Sequence, residues 1–533
     1  MKPKALLDAG SSHVLGFQWL ANALAPVSPY GERLFTELVP FLPGEEPAAQ
    51  SRANAVADLA GALEADRIEG VRAALRDLPD AAGAIARASM GDVLDDPNFL
   101  ELSRFCETIE RIDALLGDIP AAKIANAAVR ALGAALAPGL GKGGSFYLAD
   151  GFDAGLESAR TRYRRDQAEL DAARGRESES AARALARDEI AGDEFIAMRS
   201  DLHGPLPEGV RVVREAPTYL LCALEYGEAS LAALRRRDAA ALDVAQVEEN
   251  VRARLSEVVR EHAVGLGTAA AGLGKLDVLL AAARFTQRNR CVTARITREL
   301  VLDFEQARFL PLEAELAEAG RRFVPLDLAL HDAVVLTGPN MGGKSVSLQT
   351  CGFVALCAAF GVPVPAARAR AALFDQIAWL GIGRDDRMGG LLSSFAREVL
   401  ELKEIFQRAA PRLLILVDEF ARTTTPHEGR ALLVALLARL REQQACGMVA
   451  THLEGIAQAV RARHFAVRGL RGTLAHRPEQ DVDAALQTLA QSMDYTIAEV
   501  TGDPAAQADA IALTSLLGID DEFVDAAYRA LLE

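Results

Sequence analysis

The sequence predicts an α/β domain with a mostly parallel sheet in its C-terminal part, preceded by an all-helical region that carries a small clamp-like arm. Three observations predict this. Short apolar runs alternate with helical segments from about residue 303 onward, the texture of a sheet covered by helices. The rest of the chain is rich in Ala and Leu and only 5% aromatic, which favours helix over a β-sandwich. Between about 155 and 262 lie two long stretches whose charges alternate in sign at helical spacing.

In chain order, residues 1–150 read as a helical core, with apolar residues three and four apart, as in Leu34, Leu38 and Phe41, then Val71, Leu75 and Leu78. The glycine-bearing stretch PGLGKGGS at 138–145 has no apolar strand leading into it and lacks phosphate-loop spacing, so it reads as a mobile loop. Residues 151–265 read as lever helices and a reduced clamp-like arm: RTRYRRDQAELDAARGRESESAARALARDE opens the first helix, short β-like pieces such as GVRVV follow, and a second helix runs from about Glu228 to His262. Residues 266–302 read as return helices of the core. The last part, 303–533, holds the strands AVVLT (333–337), RLLILV (412–417) and GMVAT (447–451) and ends in a helical tail.

At 533 residues the chain exceeds one ordinary core, so more than one domain is expected. Acidic residues outnumber basic ones by 74 to 58, a formal charge of −16, which disfavours a broad nucleic-acid face while leaving room for a local basic patch. Six cysteines without a CxxC pair indicate buried thiols in a reducing compartment. The N-terminal segment has no sustained apolar core of a signal peptide, and no uncharged apolar run of membrane-spanning length stands out. The expectation is a soluble, cytoplasmic protein without a membrane partner.

Each apolar strand ends in a polar cluster, and in parallel sheets ligands bind at the carboxyl ends of the strands. AVVLT leads into Gly338, Pro339, Asn340, Met341, Gly342, Gly343, Lys344 and Ser345, followed by a helical run. This is a complete phosphate-loop (Walker A) pattern in strand-loop-helix context: glycines let backbone N–H groups cradle phosphates, and the helix offers its positive N-terminus. Lys344 is expected on the β- and γ-phosphates of ATP, and the Ser345 hydroxyl on Mg²⁺. RLLILV ends in Asp418 and Glu419. Buried carboxylates are costly unless a cation or proton chemistry compensates, so Asp418 is expected to hold Mg²⁺ through water and Glu419 to polarise the attacking water. GMVAT delivers His452, a candidate for sensing the γ-phosphate or orienting that water.

TGPNMGGKS at 337–345 resembles the nucleotide loop of the MutS family of ABC-type ATPases. GRDDRMGGLLSSFAREV at 383–399 resembles that family's signature segment, DEFARTTTPHEG at 418–429 its DEIGRGT-type strand end, and ATH at 450–452 its switch histidine. Weaker likenesses occur upstream in YGERLF (30–35), DGFD (150–153) and KLDVL (275–279). The resemblance implies a P-loop ATPase domain of the ABC type that hydrolyses ATP with Mg, in a homodimer whose nucleotides are sandwiched between subunits. Ser393 and Ser394 match the signature residues that would contact the γ-phosphate held by the other chain. Phe323 matches the aromatic that stacks on adenine, and Arg422 and Thr424 match the loop after the catalytic strand.

Departures from the pattern bear on the partner. Ala421, Pro426 and His427 replace residues usual in repair proteins, and Leu392 stands where an arginine is common. Phe35-Thr36-Glu37 spells the mismatch-reading wedge, yet its setting reads as an amphipathic helix with Phe35 on the core face, so the mismatch-reading and connector domains are expected to be absent. No nuclease module is expected after residue 533. DEFARTT and the tail SMDYTIAEVTGDPAAQADAIALTSLLGIDDEF most resemble MutS-related ATPases that reactivate adenosylcobalamin-dependent lysine 5,6-aminomutase. That resemblance implies an ATP-driven reactivase acting on such a partner enzyme. The alternative is a DNA-binding clamp of the mismatch-repair or recombination type without a base-mismatch reader.

Overall fold

A computed structural model describes residues 1–117, 119, 123–141, 144–339, 343–381, 394–408, 410–470, 492–502, 511, 514 and 519–532. The chain forms two compact units, one of Met1–Asp77, Leu115–Ala122 and Gly272–Glu533, the other of Leu78–Ala114 and Lys123–Ala271.

The second unit is helical with one small sheet. Its charged helix Ala154–Ala184 starts at Asp153, whose carboxylate accepts from the Gly155 N–H and so satisfies one of the open donors of the first turn. Arg160 joins Asp150 and Glu248, each at 2.7 Å, and Arg252 meets Asp96 at 2.9 Å, so part of the alternating charge is consumed in pairs within the unit. Strands β1 (Glu194–Met198), β2 (Val210–Glu215) and β3 (Tyr219–Leu224) form an antiparallel sheet in the order β1-β3-β2, and Phe195, Leu220 and Cys222 pack with Ala181 and Ile190 beneath it. The PGLGKGGS stretch closes on itself: Leu140 pairs with Phe146, and Gly141 N–H donates to Ser145 O.

The helix Glu228–Arg288 is a single element of 61 residues, where sequence reading expected a break near His262. Two of its glycines serve close approach: a Cβ on Gly265 would stand 2.5 Å from the Ala128 Cβ, and one on Gly274 would stand 2.9 Å from Tyr30 O. By length and composition this helix could cross a membrane, a candidate that sequence reading had passed over. Asp277, fully buried within that helix, accepts backbone N–H groups of Val27 and Ser28 with Arg72 3.9 Å away, an arrangement of a protein core.

In the first unit the helix Pro29–Glu37 has Ser28 as N-cap and proline at its first position. Its buried face is Tyr30 and Gly31; Leu34 is exposed and Phe35 only half-buried. The expected core face through Leu34 and Phe35 is therefore displaced, because Asp277 fills the space beside Gly31 and draws the helix start inward.

Among the described residues ten further strands follow: β4 (Arg295–Thr297), β5 (Leu302–Ala307), β6 (Leu326–Leu330), β7 (Ala333–Thr337), β8 (Arg368–Ala372), β9 (Gln376–Gly381), β10 (Leu413–Asp418), β11 (Cys446–Ala450), β12 (His464–Leu470) and β13 (Met493–Glu499). One sheet has the order β4-β8-β5-β6. The larger has the order β13-β12-β7-β11-β10-β9, parallel throughout except for β13. Its inner strands are buried on both faces, as the unbroken apolar runs of β7 and β10 require. Ile415 and Val417 pack with Leu433, Leu436 and Leu437 of the helix Pro426–Glu442, while Leu416, pointing the other way, meets Gly352 of the helix Lys344–Ala359. The sheet is thus covered on both faces. All six cysteines are free thiols, five of them buried.

Candidate functional site

Three strand ends converge at the carboxyl edge of the larger sheet. β7 ends at Thr337 and passes through Gly338 and Pro339; the helix Lys344–Ala359 begins after Gly343. Gly338 has φ 144° and lies against Val467, where a Cβ would stand 2.9 Å from the valine Cβ; Gly343 has φ 88° and caps the helix. Glycine is required at both for conformation and space. Asn340, Met341 and Gly342 lie outside the described residues, as does Ser393; Ser394 opens the helix Ser394–Gln407, but its side chain also lies outside them.

Lys344 is buried at the first position of its helix. Its Nζ donates to Gly338 O at 2.9 Å and Pro339 O at 3.1 Å, and lies 3.6 Å from Glu419 Oε1. Burial pulls its pKa below the usual lysine value, while the charges of Glu419 and Asp418 act in the opposite sense. Ser345 Oγ donates to Asp418 Oδ2 at 2.7 Å. Asp418 is buried at the end of β10; desolvation raises its pKa above the ordinary carboxylate value, the Ser345 hydrogen bond opposes this, and the Glu419 charge adds to it. Sequence reading placed these four residues together, and they lie together.

Glu419 sits just past β10 with φ 55°, and Ala421 has φ 62°, so the turn leaving the strand twice enters the left-handed region without glycine. Glu419 N–H donates to Ala450 O at 3.1 Å, which ties the turn to β11. Gly381, at the end of β9, must be glycine: its φ is 137°, and a Cβ would stand 2.2 Å from Asp418 O. Arg422 Nη1 is 4.0 Å from Glu419 Oε2, and Thr424 and Thr425 both donate to Glu428 at the start of the next helix, a capping arrangement.

His452 follows β11 and is exposed, while Thr451 is buried with its N–H on Leu336 O. The histidine made into an internal contact is His464 of β12, whose Nε2 lies 2.8 Å from Thr337 Oγ1, a pair that sequence reading did not single out. Phe323 is half-buried and lines a cavity of ≈ 700 Å³ that also touches Gly343, Val346, Ser347, Arg321 and Tyr495. Tyr495 is 3.2 Å from where a Gly343 Cβ would be, so it faces the start of the loop helix. Tyr495 belongs to the tail quoted for its family likeness, but nothing there set it beside the loop helix, because it arrives on a strand distant in sequence.

Among the described residues no group of three or more His, Cys, Asp or Glu side chains could hold a metal alone. Two hard oxygens, from Ser345 and Asp418, are what the protein offers, and Mg²⁺ is commonly held by one or two protein ligands, with waters and substrate phosphates filling the rest. A desolvated carboxylate beside a buried lysine and an adjoining cavity fits an anionic ligand carried with a divalent cation.

These features define an α/β protein with a buried lysine, a serine and two carboxylates gathered at the carboxyl end of a parallel sheet. Residues 334–530 match MutS domain V, an ATPase domain, and the chain is homologous to MutS and MutS2 proteins. It is 33% identical over 208 residues to the endonuclease MutS2 of Pelotomaculum thermopropionicum, covering 38% of this chain and 26% of that protein. It is 30% identical over 316 residues to the DNA mismatch repair protein MutS of Granulibacter bethesdensis, covering 56% and 33%. The protein of the same name from Thermus thermophilus is 36% identical over 206 residues, covering 38% and 24%. The chain therefore spans a third or less of the length of these curated relatives.

Proposed function

We propose that this protein is a dimeric, Mg-ATP-hydrolysing switch with a P-loop of the MutS type that acts on DNA. The observation that carries the ATPase reading is the Ser345–Asp418 hydrogen bond beside Lys344 and Glu419, at a loop-helix junction inside the stretch matching MutS domain V. Mg²⁺, when bound, neutralises phosphate charge, with Ser345 and Asp418 as its protein ligands. Lys344 supplies the cation for the β- and γ-phosphates, and the N–H groups of the glycine loop take phosphate oxygens. Glu419 accepts a proton as the oxygen of water bonds to the γ-phosphorus; the bond from that phosphorus to the bridging oxygen breaks, leaving ADP and phosphate. Phe323 and Tyr495 wall the cavity that would take the base. His452 stands at the same edge as a contact for the γ-phosphate side. Ser393 and Ser394 complete the site from a second copy of the chain.

DNA as the object of the switch is supported by relatives named for mismatch repair and for endonuclease activity. The second reading, reactivation of a cobalamin-dependent aminomutase in the cytoplasm, rests on the likeness of DEFARTT and of the tail from Ser492, on the expected lack of a mismatch reader and on the formal charge of −16, and has no counterpart among the relatives named above. Fluorescence anisotropy with a duplex and with a branched DNA, with and without Mg-ATP, separates the two. The DNA reading expects binding whose logarithm falls linearly with the logarithm of salt concentration, because phosphate contacts release counterions. Undetectable binding at low salt in both nucleotide states overturns it.

A further inference from the structure

Glu398 lies on the helix Ser394–Gln407, two turns or less from its start and near the end of the stretch 383–399 that resembles a signature segment, where the resemblance gives it no role of its own. Its Oε2 accepts the Ala421 N–H at 2.8 Å. That amide belongs to the turn that leaves β10, in which Glu419 and Ala421 both hold left-handed φ values. One turn earlier on the same helix, Phe395 packs on Phe420 with ring centroids 6.4 Å apart. Two contacts from one helix face therefore grip the two residues that follow Glu419.

The grip has a physical reason. Left-handed conformations without glycine are strained and persist only where surroundings hold them. Ala421 as a whole residue is nearly fully buried, so its N–H needs an internal acceptor. Glu398 is the acceptor, and burial holds its carboxyl above the usual carboxylate range.

We propose that Glu398 is a positioning residue for Glu419: with the Phe395–Phe420 contact it latches the strained turn after β10 and so fixes where the proton-accepting carboxylate points. The latch is a direct mechanical connection between the helix that begins at Ser394 and the carboxylate that activates water. A shift of that helix along its axis would be felt at Glu419 through one hydrogen bond and one ring contact. The role of Glu419 rests on the ATPase reading above; the latch itself is a property of the turn.

The function of the Glu398 carboxylate in the latch is to present an oxygen, so an amide oxygen should serve and a methyl group should not. The test compares Glu398→Gln and Glu398→Ala in the full chain by two readouts. The first is amide hydrogen exchange of the peptide spanning 419–425, which needs no activity. Faster exchange there in Glu398→Ala, with protection kept in Glu398→Gln, is expected; unchanged exchange in Glu398→Ala overturns the latch. The second is steady-state Mg-ATP hydrolysis. A fall in kcat of about tenfold or more with KM unchanged in Glu398→Ala, recovered in Glu398→Gln, is expected for a displaced base. Altered KM with kcat unchanged, or equal loss in both variants, overturns the positioning role. Wild-type protein that fails to hydrolyse ATP while its 419–425 peptide responds as expected overturns the ATPase reading and leaves the latch standing.

Discussion

Lys344 and Asp418 are ionisable groups withdrawn from water, and each is tuned by the other's charge together with that of Glu419. In this cluster Glu419 is the more accessible carboxylate, at 15% side-chain exposure where Asp418 is almost fully buried. It is therefore the one placed to meet water. Glu419→Gln is expected to keep Mg-ATP affinity while turnover falls about 10²–10⁴-fold, the range of a lost general base. Lys344→Ala is expected to weaken nucleotide binding by about 10–100-fold through loss of a charge-assisted contact. Isothermal titration with the non-hydrolysed nucleotide, alongside phosphate release, separates the two effects. Asp418 adds a pH signature. Its folded pKa is raised above the unfolded value, so its contribution to stability is fully present below the unfolded pKa and is lost as pH rises through the folded pKa. Relative to Asp418→Asn, the nucleotide-free wild type should therefore lose Tm as pH climbs out of the carboxylate range, and a divalent cation should restore it in the wild type alone. A Tm difference that does not change with pH would show that desolvation of Asp418 is not the governing cost.

At the scale of elements, the carboxyl edge works because β9, β10 and β11 end in register: Gly381 pairs with Asp418, and Asp418 with Ala450. Gly381→Ala inserts a Cβ into the Asp418 carbonyl and demands a φ that alanine avoids. It is expected to cost about 1–3 kcal/mol of stability and to lower turnover more than nucleotide affinity, because it displaces the strand end that carries the carboxylates. Thermal melting paired with a nucleotide titration checks this; full stability with full turnover would mean that β9 can move aside at no cost. Strands β7, β10 and β11 were legible in the sequence because unbroken apolar runs ending in polar clusters have few other readings. β9 and β12 were not legible as strands: QIAWLG runs into the stretch 383–399, whose likeness is to a signature segment and not to a strand end, and HFAVRGL carries charge within its apolar run. The same asymmetry holds in the site. Lys344, Ser345, Asp418 and Glu419 announce themselves by spacing next to strands, whereas Glu398, Tyr495 and the Thr337–His464 pair reach the site only through tertiary contact. The long helix Glu228–Arg288 was not legible as one element, because its charged face fades after His262, and the close approach of Ala128 to Gly265 and of Tyr30 to Gly274 is a tertiary fact that spacing does not carry.

For the whole molecule, the decisive question is whether one chain holds a complete site. Lys344, Ser345, Asp418 and Glu419 come from one chain and already contact one another. The resemblance assigns Ser393 and Ser394 to the site of a second copy. A closed two-fold dimer gives two equivalent composite sites, each with the loop of one subunit and the serines of the other. Mixing then has a definite arithmetic. A Ser393→Ala/Ser394→Ala chain keeps its loop, and a Lys344→Ala chain keeps its serines, so a heterodimer of the two owns one intact site and one doubly impaired site. With equal mixing and free exchange, half the dimers are heterodimers, and turnover should return to about a quarter of the wild-type value per subunit. Serines acting on their own chain's nucleotide would instead leave every site with one defect, and no turnover would return at any mixing ratio. Sedimentation of the mixture in Mg-ATP, run beside the turnover assay, establishes that heterodimers have formed, so silence in the assay counts directly against a site shared between subunits.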